Sequence, residues 1–334
     1  MISKNKVAIL GSGSWGTALG TLLAHHFDEV LMIGREEHIA NEINQFHTNA
    51  PFLPGLKLQK NIQATTDLAA AKDATLVLVV IPSAGVRSVI SELVKIDFPK
   101  DTPIVSCTKG IEHNTGERMS EIIHELLPNN PLAALSGPNH AEEVSRCLTS
   151  CAVIGSKDEN LTSDLQEIFS ASYFRSYTSD DIAGMELGGA IKNVFAIAAG
   201  IAAGLKLGDN AIAALVTRGL AEMTRLGTAL GGRTETFMGL SGIGDLMVTC
   251  YSPHSRNNRV GRALGEGGQL DDIVANLGMV AEGVPNTLSI YKAARKANVR
   301  TPLIDGVYGI LYENRSAQEV LKELLNSDMR KEAE

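Results

Sequence analysis

The chain has 334 residues, a mass of 35.5 kDa and a formal net charge of −8, so it is long enough for two domains with separate cores. Its 44% hydrophobic and 20% charged residues are ordinary for a soluble globular protein, and the acidic balance argues against a nucleic-acid or anionic-membrane surface. Cys107, Cys147, Cys151 and Cys250 form no CxxC pair and have no matching histidine cluster; they read as reduced, packed thiols, with no metal expected. The start MISKNKVAIL enters a strand directly, which speaks against a signal peptide, and no apolar run reaches the ~18 residues of a membrane span. These features lead us to expect a cytoplasmic enzyme or binding protein without nucleic-acid partners or membrane insertion.

In chain order, residues 7–10 (VAIL) are a short apolar run of the buried parallel-strand kind, and residues 17–25, rich in Ala and Leu, read as a helix. Between them lies Gly11-Ser12-Gly13-Ser14-Trp15-Gly16, a Gly-x-Gly-x-x-Gly placed where a dinucleotide needs it. Gly11 permits the tight turn, Gly13 lets the backbone approach a pyrophosphate, and Gly16 lets helix and strand pack closely. The helix N-terminus then offers N–H groups to the phosphates.

The second strand, residues 30–33, ends at Gly34-Arg35-Glu36-Glu37. An acidic residue at this strand end would bond the ribose 2′-hydroxyl of NAD; here a guanidinium follows Gly34, suited to the 2′-phosphate of NADP. Two readings stay open: Arg35 accepts that phosphate, or Arg35 is solvated and Glu36 or Glu37 turns in to hold NAD.

Further strands are expected at 75–81, 103–107, 132–135 and 151–155, with a helix over 115–127. Alternation of this kind specifies a doubly wound parallel sheet with ligands at the strands' carboxyl ends, and Ser14, Ser83, Lys109 and Gly137 all lie just past such ends. After about Thr178 the pattern becomes helical and dense in Ala, Gly and Leu, with helices expected over 182–205, 210–230, 259–264, 287–297 and 317–325. The expected architecture is therefore an α/β Rossmann-type domain, residues 1–179, followed by an all-α substrate-binding and catalytic domain, residues 180–334.

Three features of the second half could carry chemistry. In Gly189-Ala190-Ile191-Lys192-Asn193 polar groups interrupt an apolar helix, as does Glu186; the lysine either snorkels to water or is held in a site, where it could exchange a proton with a carbinol oxygen. Gly239-Leu240-Ser241-Gly242-Ile243-Gly244-Asp245 delivers a carboxylate that either caps a turn or holds Lys192. Ser255-Arg256-Asn257-Asn258-Arg259 reads as a helix start, either a solvated basic turn or a phosphate seat built from N–H groups, a hydroxyl and a guanidinium.

GSGSWGTA, CTKGIE, SGPNHAEE, GGAIKN, GLSGIGDL, TCYSPHSRN and VAEGV occur in one order between residues 11 and 284. The chain in this respect resembles the bacterial NAD(P)-dependent glycerol-3-phosphate dehydrogenases over nearly its whole length. The resemblance implies interconversion of sn-glycerol 3-phosphate and dihydroxyacetone phosphate with NAD or NADP, supplying phospholipid synthesis. It implies a catalytic Lys192 and substrate contacts from Lys109, Gly137, Asn139, Lys192, Asp245, Ser255, Arg256 and Asn257. It further implies cofactor contacts from Gly11, Gly13, Ser14, Trp15, Gly16, Arg35, Lys109, Ala141, Arg256, Val280 and Glu282. At Asn139 many members carry a Ser or Thr hydroxyl, a departure that an amide can still serve by hydrogen bonding. The family commonly forms homodimers, for which the Ala/Gly-rich helices offer a face. The rival readings are a 3-hydroxyacid-type dehydrogenase and a non-catalytic dinucleotide sensor.

Overall fold

The computed structural model describes residues 1–325; the last residues of the expected second domain, 326–334, lie outside them. The chain opens with β1 (Lys6–Leu10), α1 (Ser14–Leu23), β2 (Glu29–Ile33), α2 (Glu37–Phe46) and β3 (Ile62–Thr65). β4 (Leu76–Val79), α3 (Val86–Lys95), β5 (Ile104–Ser106) and α4 (Met119–Leu126) follow. β6 (Leu132–Ser136), α5 (Ala141–Val144), β7 (Ser150–Gly155), α6 (Glu159–Ile168) and β8 (Phe174–Ser179) complete the sheet. Its order is β3-β2-β1-β4-β5-β6-β7-β8.

Side chains of successive strand residues point to opposite faces. Val7, Ile9, Val30 and Met32 accordingly meet α1 and α6 on one face, through Leu19, Leu22 and Leu165. Ala8, Leu10, Leu31 and Ile33 meet α3 and α4 on the other, through Ile90 and Ile122. One pairing departs from the all-parallel expectation. β7 runs antiparallel to β6, with Leu135 opposite Ile154, while β7 and β8 are parallel. The reversal follows from the connection: residues 137–149 hold only the one-turn α5, too short a crossover to return β7 parallel to its neighbour.

Beyond Ser179 the described residues are helical: α7 (Ile182–Gly204), α8 (Asp209–Ala229), α9 (Thr234–Phe237), α10 (Asp245–Tyr251), α11 (Arg256–Gly265), α12 (Leu270–Leu277), α13 (Gly283–Lys296), α14 (Pro302–Tyr312) and α15 (Ala317–Leu325). α7 is the axis of this half. It is 23 residues long, with an 18-residue window of mean hydropathy 1.5, which by length and composition alone would suffice to cross a membrane. Yet 94% of its apolar window is buried, so it is the core helix of a bundle. Its small residues are covered by α11. A Cβ on Gly200 would lie 2.1 Å from the Asn258 carbonyl oxygen, and one on Gly261 2.0 Å from that of Ile197, so only glycine allows these two backbones to meet.

Candidate active site

The glycine turn adopts the geometry its sequence demands. Gly11 sits at φ +125°, where an L side chain is strained, and a Cβ on Gly16 would collide with the Gly11 carbonyl oxygen at 2.0 Å. At Gly13 nothing lies within 4 Å of where a Cβ would point, so the N-terminus of α1 faces open space. That helix has no side-chain cap and no acidic residue in its first turn, and the Trp15 indole Nε1 is buried without a partner among the described residues. Unopposed N–H groups, absent negative charge and a cleared approach fit a pyrophosphate. At the end of β2, a Cβ on Gly34 would lie 2.2 Å from the Ser12 hydroxyl, so a side chain there would require Ser12 to turn away, and Arg35 is exposed at the rim. Ala141, also on this side, is buried in the first turn of α5.

In the helical half, Lys192 does not snorkel. It is 4% exposed, donates to Thr249 Oγ1 at 2.8 Å and pairs with Asp245 Oδ1. Asp245 enters α10 from one turn of π-helix over residues Leu240–Gly244, where a Cβ on Gly242 would collide with Phe237. The glycine-rich segment is therefore a tightly packed coil that aims one carboxylate. The second oxygen of Asp245 accepts from Lys109 Nζ at 2.9 Å, and the same Nζ donates to the Gly137 carbonyl at 2.8 Å and to Asn139 Oδ1 at 3.1 Å. Two lysines, one from each half of the molecule, thus share one buried carboxylate.

Burial pushes the Lys192 amine down to about 7; the attraction of Asp245 opposes this and the charge of Lys109 adds to it. For Asp245 burial works upward, but the two ammonium groups outweigh it and hold the carboxyl below the usual range. A neighbour that the sequence did not single out, His140, is pushed down to about 4 by burial and by Lys192, and its Nε2 is buried without a partner among the described residues. Thr249 was also missed; its signal is the spacing of four from Asp245, one helical turn.

The proposed phosphate seat divides. Ser255 is the N-cap of α11, its hydroxyl accepting from the Asn258 N–H at 3.2 Å. Arg256 is half-buried, burial lowering its basicity, and reaches over to Ser14 Oγ at 3.3 Å and the Val280 carbonyl at 3.4 Å. It therefore stands between glycine turn and helical half. Asn257 is instead committed to the scaffold, donating to Asn193 Oδ1 and accepting from the Gly283 N–H, both at 2.9 Å. Glu282 accepts from the Ser83 backbone N–H at 3.0 Å and hydroxyl at 2.7 Å, joining α13 to the loop after β4. Among the described residues no cluster of three or more His, Cys, Asp or Glu is placed to hold a metal.

Comparison with known proteins identifies the family of the chain. Residues 6–162 match the family model of the NAD-dependent glycerol-3-phosphate dehydrogenase N-terminus, and residues 181–322 that of its C-terminus. The chain is 46% identical to the NAD(P)+ glycerol-3-phosphate dehydrogenase of Enterococcus faecalis, over 99% of this chain and 98% of the relative. It is 45% identical to the enzyme of the same name from Citrifermentans bemidjiense, over 98% of each. The crystal structure of glycerol-3-phosphate dehydrogenase from Coxiella burnetii superposes with a TM-score of 0.93 at 38% identity, covering 97% of this chain and 99% of that one. With both family models matched along one chain, and relatives near half identity over its full length, the protein belongs to the NAD-dependent glycerol-3-phosphate dehydrogenase family.

Proposed function

We propose that the cleft between sheet and helices interconverts sn-glycerol 3-phosphate and dihydroxyacetone phosphate, with Lys192 as the group that gives the proton to, or takes it from, the carbinol oxygen. The observation that carries this is the pair of ammonium groups, Lys109 and Lys192, on opposite oxygens of the buried Asp245. Bound NAD(P)(H) supplies or accepts the hydride at the carbonyl carbon. As negative charge grows on the ketone oxygen, the two ammonium groups meet it beside the buried Lys192–Asp245 pair, and low surrounding polarity strengthens such interactions. Asp245 orients both lysines, and Thr249 fixes the rotamer of Lys192. Arg256 and the N-terminus of α11 grip the phosphate, so that remote binding energy positions the carbonyl. Gly137 and Asn139 border the substrate beside Lys109. On the cofactor side, Gly11, Gly13, Ser14, Trp15 and Gly16 hold the pyrophosphate, Arg35 reads a 2′-phosphate, and Ala141, Val280 and Glu282 line the cleft.

On this reading residues 1–179 are the cofactor domain and 180–334 the substrate domain, in a cytoplasmic homodimeric enzyme that serves phospholipid synthesis. Exposed Met238, Met247 and Tyr251 give the helical half apolar surface for a second copy, whereas the small face of α7 is taken by α11. Light scattering tests the dimer.

The experiment for the catalytic assignment is Lys192→Ala. It lowers kcat by about 10²–10⁴, the usual contribution of a general acid, while a cofactor titration stays unchanged. The pH profile gives the sign: ketone reduction needs the protonated amine and declines as pH rises through about 7, and oxidation needs the neutral amine and rises. A variant that kept near wild-type kcat would reject the assignment.

A further inference from the structure

Glu186 is 5% exposed on α7, yet the chemistry above makes no use of it. Its Oε1 accepts from the Ser120 N–H at 2.9 Å, and its Oε2 accepts from the Ser120 hydroxyl at 2.5 Å and from Arg118 Nη1 at 2.9 Å. Both partners belong to the other half of the molecule, at the start of α4. Arg118 is itself held in shape by Glu121, through Nη2 at 2.6 Å and its own N–H at 2.9 Å.

The segment that ends at this clasp begins at Lys109. It folds back on itself, with Ile111 bridged antiparallel to Arg118 and the Glu112 N–H donating to the Glu117 carbonyl. Although it springs from the sheet, its Ile111 is 1% exposed within the core of the helical bundle. His113 bonds Ser289 of α13, and Asn286 donates to the Lys109 carbonyl at 3.4 Å. Residues 109–120 are thus an arm reaching from the cofactor half into the helical half. One turn along α7 from Glu186, on the same face, a Cβ on Gly189 would lie 3.5 Å from Lys109 Cγ, so the helix backbone runs against the stem of that lysine.

We propose that Glu186 is a positioning residue: by clasping Arg118 and Ser120 it holds the arm that carries Lys109 in register with the helix that carries Lys192. The two ammonium groups then reach the substrate oxygen together. Without the clasp the arm keeps its apolar anchor but is free to shift along α7, and a displacement of about 1 Å at a reacting group can cost on the order of 10²-fold in rate. This inference rests on the assignment of Lys109 and Lys192 to the active site.

Glu186→Gln tests it, since the amide keeps the volume and an acceptor for the Ser120 N–H while removing the charge that faces Arg118. The expected result is a fall of about 10- to 100-fold in kcat/KM for dihydroxyacetone phosphate. The KM for NADPH stays unchanged, and deuterated NADPH shows a larger isotope effect on kcat because hydride transfer has become slower. Adding Arg118→Met to Glu186→Gln gives no further loss. Ser120→Ala withdraws one donor and strands no charge, so it serves if the first variant folds poorly; it should show a smaller loss with the same split between substrate and cofactor. A lower Tm with wild-type kcat/KM and isotope effect would make Glu186 a stabilising residue only and overturn the proposal, as would equal losses for ketone and cofactor. Lys109→Met measured alongside separates the two levels: if it stays active the site assignment itself fails, whereas an inactive Lys109→Met beside an active Glu186→Gln rejects the positioning role alone.

Discussion

Asp245→Asn removes the one carboxylate that two lysines share. The Lys109 contact is 2.9 Å long and Asp245 is 1% exposed, so at an effective dielectric of about 20 such a contact is worth roughly 4–6 kcal/mol before desolvation is counted. Removing one partner of a buried pair costs about 3–5 kcal/mol, because the charge left behind has no counter-ion. Here the loss is pH-dependent. Burial already holds Lys192 at about 7, and without the attraction of Asp245 its folded-state value falls further below the unfolded 10.5. The native variant then binds fewer protons than the unfolded chain over a window that opens below 7, and its stability climbs with pH across that window. The deficit against wild type is therefore larger near pH 6, where the wild-type Lys192 is charged and paired with Asp245, and smaller towards pH 9, where the amine is neutral in both proteins. Denaturant unfolding at several pH values measures it. Activity falls as well, by about 10²–10³ in kcat for ketone reduction at neutral pH, since the proton donor is both less protonated and less well aimed. A variant within about 1 kcal/mol of wild type at pH 6 and with near-native kcat would refute the shared-carboxylate reasoning.

Two further predictions concern recognition. Arg35→Ala weakens NADPH by about 1.5–3 kcal/mol, the worth of a charge-assisted hydrogen bond, and leaves NADH nearly unchanged; equal losses in paired titrations would remove Arg35 from the 2′-phosphate. Arg256→Ala acts mainly on KM for dihydroxyacetone phosphate, because the phosphate is gripped in ground and transition states alike. The effect is much milder with an analogue that lacks the phosphate, and a kcat loss without a KM change would contradict this placement.

The architecture was legible wherever local pattern encodes burial. VAIL and TLVLVV are buried strands because a parallel sheet covered on both faces needs continuous apolar runs, and β1 and β4 are neighbouring interior strands of the sheet. The two strands absent from the sequence reading are those at its edges. β3 (IQAT) and β8 (FRSYTS) each expose alternate residues, so neither presents an apolar run. The helix expected from residue 115 starts at Met119, because the preceding residues form the folded-back arm that brings Ile111 to the helical core.

By itself the sequence determined the glycine turn, the change from alternating to helical character near Thr178, and the residue types of the site. These are properties of short stretches, set by steric limits on the backbone and by hydrophobic periodicity. What became of each polar side chain was decided by the tertiary structure. Lys192 is held rather than solvated because its partner lies 53 residues away, and Lys109 meets that same carboxylate from 136 residues away. Asn257 and Glu282, both expected at the ligands, bond Asn193, Gly283 and Ser83 across helices and halves. A buried charge or amide takes whichever complementary group the fold brings within about 3 Å, and no local pattern specifies which group that is.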